Sequence, residues 1–334
     1  MENERQLILA DADLNDILPV MDAETDIAVG EENTFEVKIP RGNWDDRYTF
    51  GTSVYIKNTE YGGIIGEVDT STSMDTISLL GYTWRGYLDK KIIEPPEGED
   101  YYTVSGELNA VIAEIVGERY GKYMSVSSEN TGKSVRNYKF ERYCKIRAGI
   151  EKMLQSVGYK LAIKYIQREH GQPGYVELSA TPIADYSEEI ELSQDSQLNF
   201  NFKNIRNGVN HLICLGKGEL QERQVIHLYV QANGNIGHTQ YYTGIEEIAA
   251  IYEDTSSESD ELEGKGIEKL KESMNRTAFS MNVESLGINV DIGDLVGGRD
   301  YLTGLYAKKP IKSKIYKVKD GETSIEYGVE GDDE

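Results

Sequence analysis

The sequence predicts a β-rich α+β protein, and three observations carry the prediction. Short alternating runs crowd the first 97 residues, two helix-period stripes and a hairpin follow over 98–195, and strands resume from about residue 196. At 334 residues the chain can hold two or three domains, each with its own core.

The first block contains "QLILAD", "NTFEVKIP", "TSVYIKN", "GGIIGEVDTS" and "DTISLLGYT", separated by Asn, Gly, Asp and Pro. In "TFEVKIP", Phe35, Val37 and Ile39 face one way while Glu36 and Lys38 face the other. Strands this closely spaced predict a small barrel or sandwich over 1–97. Pro95 and Pro96 end the pattern. A helix follows in "SGELNAVIAEIVGERYG", with Leu108, Ile112, Ile115 and Val116 as its stripe, Ser105 as its N-cap and Gly121 as its stop. A second helix, "ERYCKIRAGIEKMLQSVG", repeats the design through Ile146, Ile150, Met153, Leu154 and Val157 and ends at Gly158. "YKLAIKYI" and "YVELSATP" then form a hairpin around the turn "QREHGQPG", which completes an α+β block over 98–195.

Strands return in "QLNFNFKNI", "NHLICLGKGE" and "RQVIHLYVQANG". "TGIEEIAAIYE" reads as helical, "EDTSSESDELEG" as a solvated linker or mobile loop, and "GIEKLKESMN" as an amphipathic helix with Ile267, Leu270 and Met274 on one side. The chain closes in "TAFSMNV", "GDLVGG" and a long hairpin whose "KDGE" supplies an Asp-Gly turn. These boundaries predict a second β domain from 196–236 and 276–331, interrupted by a helical and acidic insertion at 237–275.

Charge bounds the function. The 35 Lys and Arg against 58 Asp and Glu give a net charge of −23, which argues against a surface that grips phosphate. It suits a surface that must not stick to nucleic acid. The opening "MENERQLILADAD" lacks the apolar core of a signal peptide, and no run approaches the roughly 20 apolar residues of a membrane span, so synthesis in the cytoplasm without membrane insertion is expected. Cys144 and Cys214 lie far apart and read as buried thiols in a reducing compartment. Tyr is in excess, 23 against 6 Phe and 2 Trp, which points to contact surfaces as well as cores.

No catalytic frame is visible: G-x-S-x-G, H-E-x-x-H, G-x-x-x-x-G-K-[ST] and strand-borne G-x-G-x-x-G are all absent from the sequence. Paired carboxylates have no sequence signature, so a glycosidase among the acids stays open. "GKGEL" reads as a hairpin turn, and the run at 253–263 lacks the order of a calcium loop. His211 with Cys214 and His227 is the best metal candidate, but alternation puts His211 and Cys214 on opposite strand faces, where they cannot share one ion. His170 and His238 read as loop residues. The expectation is no enzyme, no metal and no cofactor.

Two basic stretches stand out instead. In "WRGYLDKK", Trp84 and Leu88 are expected in the core, with Arg85, Lys90 and Lys91 meeting acidic groups on a neighbour or an adjoining domain. In "YAKKPIKSKIYKVK", Ile311, Ile315 and Val318 alternate with lysines, so that Lys312, Lys314 and Lys317 read as part of a positive face against an acidic neighbouring subunit. The plain alternatives are a core tryptophan with solvated bases, and a strand edge protected by lysines.

"GYTWRGYLDKKIIEPP", "NGVNHLICLGKGE" and "DIGDLVGGRDYLTGLYAKKPIKSKIYKVKDGETSIEYGVEG" together resemble tail-tip hub proteins of siphophages and prophages of Gram-positive bacteria, themselves similar to the hub of contractile-phage baseplates. The resemblance covers most of the chain; the acidic segment 253–264 matches nothing in the family pattern. It implies two small tail-tube-like β-barrels with α+β insertions, the segment 237–275 packing with the α+β block, and a homotrimer whose six barrels adapt the tail tube to the tip. It further implies a virion structural protein that contacts distal tail and tip proteins and lets DNA pass through its lumen, and the net charge of −23 adds the expectation that this lumen is acidic and does not bind the DNA. The competing functions are a host-wall glycan-binding module, which the Tyr excess would serve, and a cell-wall hydrolase. Some tail-tip proteins carry hydrolases in extra domains, for which a chain ending at Glu334 is expected to leave no room.

Overall fold

The computed structural model describes residues 6–168, 172–187, 191–192, 200–257, 259–283 and 290–329. His170 lies outside them. The chain divides into two compact units, one of Met1–Phe200 with Ser280–Glu330 and one built on Asn201–Phe279.

Seven strands open the first unit: β1 (Leu7–Ala10), β2 (Asp16–Pro19), β3 (Glu24–Val29), β4 (Thr34–Pro40), β5 (Ser53–Ile56), β6 (Gly62–Thr70) and β7 (Thr76–Thr83). All their pairings are antiparallel, in the order β3-β4-β7-β6-β5-β1-β2. The alternation of "TFEVKIP" holds: Phe35, Val37 and Ile39 are buried, with Leu9, Ile27, Val54, Ile65 and Leu79 around them. The strands β2 and β3 carry little apolar alternation. In β3 the inward face takes Thr25 beside Ile27 and Val29, and Ala28 is buried on the other face, so the period is blurred.

After β7 the chain turns directly into α1 (Trp84–Leu88), then β8 (Ile92–Ile93), β9 (Thr103–Glu107) and α2 (Leu108–Val116). The predicted ends of α2 both shift inward. Ser105 sits in β9 and bonds Asn137, while Glu107 is the N-cap, its carboxylate accepting from Ala110 N at 2.9 Å. The stop is Gly117 rather than Gly121. There follow β10 (Met124–Val126), β11 (Ser134–Lys139), β12 (Cys144–Lys145), α3 (Ile146–Gln155), β13 (Tyr159–Ile166) and β14 (Tyr175–Pro182). The last two form the expected hairpin, and β10 joins β14 in parallel. Ile112, Ile115, Ile150, Leu154, Ile163 and Leu178 are among the buried side chains of this block. A short β15 (Glu191–Leu192) closes the segment.

The second unit is entered through β16 (Phe200–Ile205). Its sheet runs β19 (Ile236–Gly237), β18 (Val225–Val230), β17 (His211–Leu215) and β20 (Ala249–Glu253), with β20 parallel to β17. Where the pattern predicts a helix in "TGIEEIAAIYE", a turn at Gly244–Glu246 leads into β20. Its alternation of exposed Ala249, Ile251 and Glu253 with half-buried Ala250 and Tyr252 is that of a strand. The acidic run is not a linker throughout: α4 (Ser259–Ser273) starts inside it, preceded by Asp254, which accepts from Ser256 N and Lys265 Nζ. Leu262 and Leu270 of α4 share a core with Leu212, Cys214, Leu228 and Val230 of β17 and β18.

The chain returns through β21 (Arg276–Val283), β22 (Leu295–Arg299), β23 (Tyr306–Lys319) and β24 (Glu322–Val329). The β23–β24 turn carries Asp320 at φ 53° and Gly321 at φ 81°, the left-handed pair that a two-residue Asp-Gly hairpin needs. One edge of β23 pairs with β24 and the other with β3, Lys314 lying opposite Val29 and Val318 opposite Thr25. The C-terminal hairpin thus extends the N-terminal sheet. Among the described residues this sheet is an open path, not a closed barrel.

Candidate functional site

The short helix α1 forms because Thr83 caps it, its side chain accepting from Gly86 N at 3.3 Å. That turn carries Trp84 and Leu88 away from the sheet and into the core of the α+β block, where both are fully buried. Trp84 lies 5.7 Å from the ring of Tyr165, which stacks on Tyr55 at 3.7 Å. A Cβ on Gly62 would come within 2.9 Å of the Trp84 indole nitrogen, so glycine there allows the approach.

Arg85, 2% exposed, sits between the strands and the block. Its Nε and Nη2 donate to one oxygen of Glu60 at 3.0 and 2.9 Å, and its Nη1 donates to Glu151 of α3 at 2.7 Å. Nη2 also reaches the carbonyl of Leu161 at 3.3 Å. Burial works against the guanidinium charge, but Glu60 and Glu151 outweigh it and hold the group above its ordinary range. Glu151 in turn accepts from Arg147 at 3.0 Å, and Arg147 binds both oxygens of Asp89 at 2.9 and 2.8 Å.

A second charged cluster joins β13 to β23. Lys160 donates to Asp294 at 2.6 Å and lies 3.6 Å from Asp291, which accepts from Lys314 at 2.9 Å. Burial disfavours the Lys314 ammonium, yet Tyr61, Glu60 and Asp291 raise its pKa above the usual lysine value. For Asp291, burial pushes upward and Lys314, then Lys160, overcome it, leaving the carboxyl below its ordinary value. Chemically the two clusters are clamps: hydrogen bonds and ion pairs that fix helix and strands against each other. His211, His227 and Glu247 form a separate chain on the second unit, with Nδ1 of His211 at 2.6 Å from Glu247 and its Nε2 at 2.8 Å from His227. Cys214 lies in the core on the opposite strand face, and among the described residues no group of three or more His, Cys, Asp or Glu is arranged to hold a metal ion.

The predicted residues thus divide. Trp84, Arg85 and Leu88 are buried within the chain, at the seam between strands and block. Lys90 and Lys91 are exposed, Lys90 lying 3.4 Å over the ring of Tyr82 and Lys91 5.5 Å from that of Tyr120. The C-terminal lysines do not share one face. Lys314 is buried beside Tyr316, Lys317 points the other way and donates to both oxygens of Glu326 at 2.8 Å, and Lys312 is exposed. Parity separates Lys314 from Lys317, since positions three apart on a strand face opposite sides, whereas Lys312, two residues from Lys314, lies at the register shift between Ile311 and Ser313. The partners Glu60, Asp89, Arg147, Glu151, Lys160, Asp291 and Asp294 carry no local pattern that separates them from the other charged residues.

No protein-family model matches the sequence, and no curated protein matches it. Solved structures do. The chain is similar to a 43 kDa tail protein of prophage MuSo2 from Shewanella oneidensis, at TM-score 0.55 and 14% identity over 98% of each chain. It is similar to a tail protein from Neisseria meningitidis MC58, at TM-score 0.50 and 13% identity, covering 98% of this chain and 96% of that one. A prophage tail protein, gp18, from Listeria monocytogenes EGD-e gives TM-score 0.49 and 14% identity over 97% and 94%. At such identities the likeness is one of fold, and the first two matches carry it: this is the fold of phage and prophage tail proteins, end to end.

Proposed function

We propose that this chain is a structural, non-enzymatic subunit of a phage or prophage-derived tail, the hub of a tail tip in a siphophage of a Gram-positive host. In this reading three chains close into a ring that joins the tail tube to the tip proteins and lets DNA pass. The observation that carries it is the match over 98% of both chains to the Shewanella prophage tail protein, because it includes both β segments and the insertions between them. The β3–β23 ladder supports two adjoining β domains, 1–97 and the C-terminal strands of 276–331, side by side in one chain. In this reading 98–195 is an α+β insertion, 196–236 belongs with 276–331 to the second β domain, and 237–275 is a helical and acidic insertion that packs with the α+β block. Trp84, Arg85 and Leu88 hold the block to the strands, and in this reading the exposed Lys90, Lys91 and Lys312 meet a neighbouring subunit. A net charge of −23 serves a lumen that repels a polyanion and leaves no phosphate contact to slow it.

Gold-labelled antibody to this chain, applied to particles induced from the host, tests the reading. Label at the tail tip is the expected result; label along the tail shaft, at the capsid or on no particle would refute it.

A further inference from the structure

One face of the second unit's sheet carries three groups in a line that share protons. His211 of β17, 7% exposed, lies between Glu247 and His227 of β18, and both of its ring nitrogens are engaged. Nδ1 is 2.6 Å from a Glu247 oxygen, and Nε2 is 2.8 Å from Nδ1 of His227. The two imidazoles lie 5.1 Å apart with planes 29° from parallel, and the Tyr229 ring stacks on His211 at 4.3 Å. His227 is exposed, so its Nε2 is the outer end of the line.

Each gap in the line takes one hydrogen, because a hydrogen bond sets one donor against one acceptor. With Glu247 ionised, His211 donates to it from Nδ1, and the gap between the rings takes its hydrogen from either imidazole. One added proton is accommodated: one ring becomes an imidazolium and both bonds persist. A second has a single place to go, the last bare nitrogen, which lies between the rings. N–H then faces N–H, and two cations stand where a bond was. Other charges do not relieve this. By register and alternation, Ala249, Ile251 and Glu253 of β20 share this face, and Glu253, opposite Leu215, is paired with Arg223. His238, beyond β19, lies 3.3 Å from the His227 carbonyl and 3.0 Å from Glu263. The helix α4 packs on the opposite face, through Leu262 and Leu270. Among the described residues, Glu247 is thus the carboxylate that a ring nitrogen of this line contacts.

We infer that Glu247, His211 and His227 form a proton-operated latch on the β17–β18 pair, closed with at most one added proton and opened by the second. His211 lies opposite Tyr229 and His227 opposite Ile213, so the repulsion falls across the ladder that joins the two strands. The sign follows from the count. In acid the unfolded segment holds a proton on each histidine, whereas the closed latch holds one between them, so the stability of this sheet is lost as pH falls. Imidazoles change charge between about pH 8 and pH 5, and a difference of one proton changes an opening constant by up to about tenfold per pH unit. The latch belongs to a single chain and is independent of the hub reading.

Hydrogen exchange on the full-length chain, corrected for the intrinsic rate at each pH, reads the opening constant. From about pH 7 to about pH 5, the amides of His211–Leu215 and Val225–Val230 should open at least several-fold more often, measured against Tyr159–Ile166 of the other unit. His227→Gln keeps a partner for Nε2 of His211 that takes up no proton, and should abolish this acid response. His238→Gln, outside the line, should retain it. A response of equal size in wild type and His227→Gln overturns the inference. Nitrogen NMR of the wild-type imidazoles tests it without any substitution: the latch requires the two rings to take up protons in two coupled steps, and rings that titrate as independent single sites overturn it.

Discussion

At the scale of residues, Arg85 is the side chain on which the seam depends. It is buried, and each of its acidic partners is needed to offset the cost of taking a charge out of water. Arg85→Met takes from Glu60, whose side chain is 7% exposed, its hydrogen-bonded ion pair and leaves the more distant charge of Lys314, a loss of up to about 3–5 kcal/mol by the general experience with broken buried pairs. Urea unfolding of the variant checks this, and Arg85→Met with Glu60→Gln should recover part of the loss; a variant as stable as wild type would show that the pair contributes nothing. The sequence made Trp84, Arg85 and Leu88 legible as a knot because aromatic, basic and apolar residues are packed into one turn. It could not reveal the partners, since Glu60 is 25 positions away and Glu151 66, and no local period links them. The lysines of β23 show the opposite fault: sorting by chemical type grouped Lys314 with Lys317, when strand parity separates them.

At the scale of elements, strong periods were legible and weak ones were not. The stripes of α2 and α3 and the alternation of β4 survive in the structure, because each is written by several apolar residues at one spacing. The strand β20 was hidden by the helix formers Glu and Ala in "TGIEEIAAIYE"; a parallel place beside β17 overrides that local preference. The acidic start of α4 reads as solvated linker because charge signals exposure, and one face of a helix can be fully exposed while Leu262 and Leu270 are buried on the other. That burial predicts the consequence of Leu270→Ala. A fully buried leucine reduced to alanine costs about 2–5 kcal/mol, and the loss should fall on the unit that contains α4. Hydrogen exchange should quicken in Val225–Val230 and His211–Leu215 while the Tyr159–Ile166 strand of the other unit keeps its protection. Equal acceleration in both units would mean that they unfold together.

At the scale of the whole molecule, the β-rich α+β class was legible from the spacing of its strands, and the sheet's order was not. A hairpin near residue 320 pairs with a strand near residue 25, a separation that no pattern in the sequence announces. What the chain offers is a tail-protein fold and a −23 charge. The proposed ring hub accounts for both. The most direct test is the mass of the purified chain by light scattering at high concentration, followed by imaging of the same peak. The account predicts a particle of three times 37.5 kDa with a central hole; a species of one or two chains, or a three-chain particle with no channel, would contradict it.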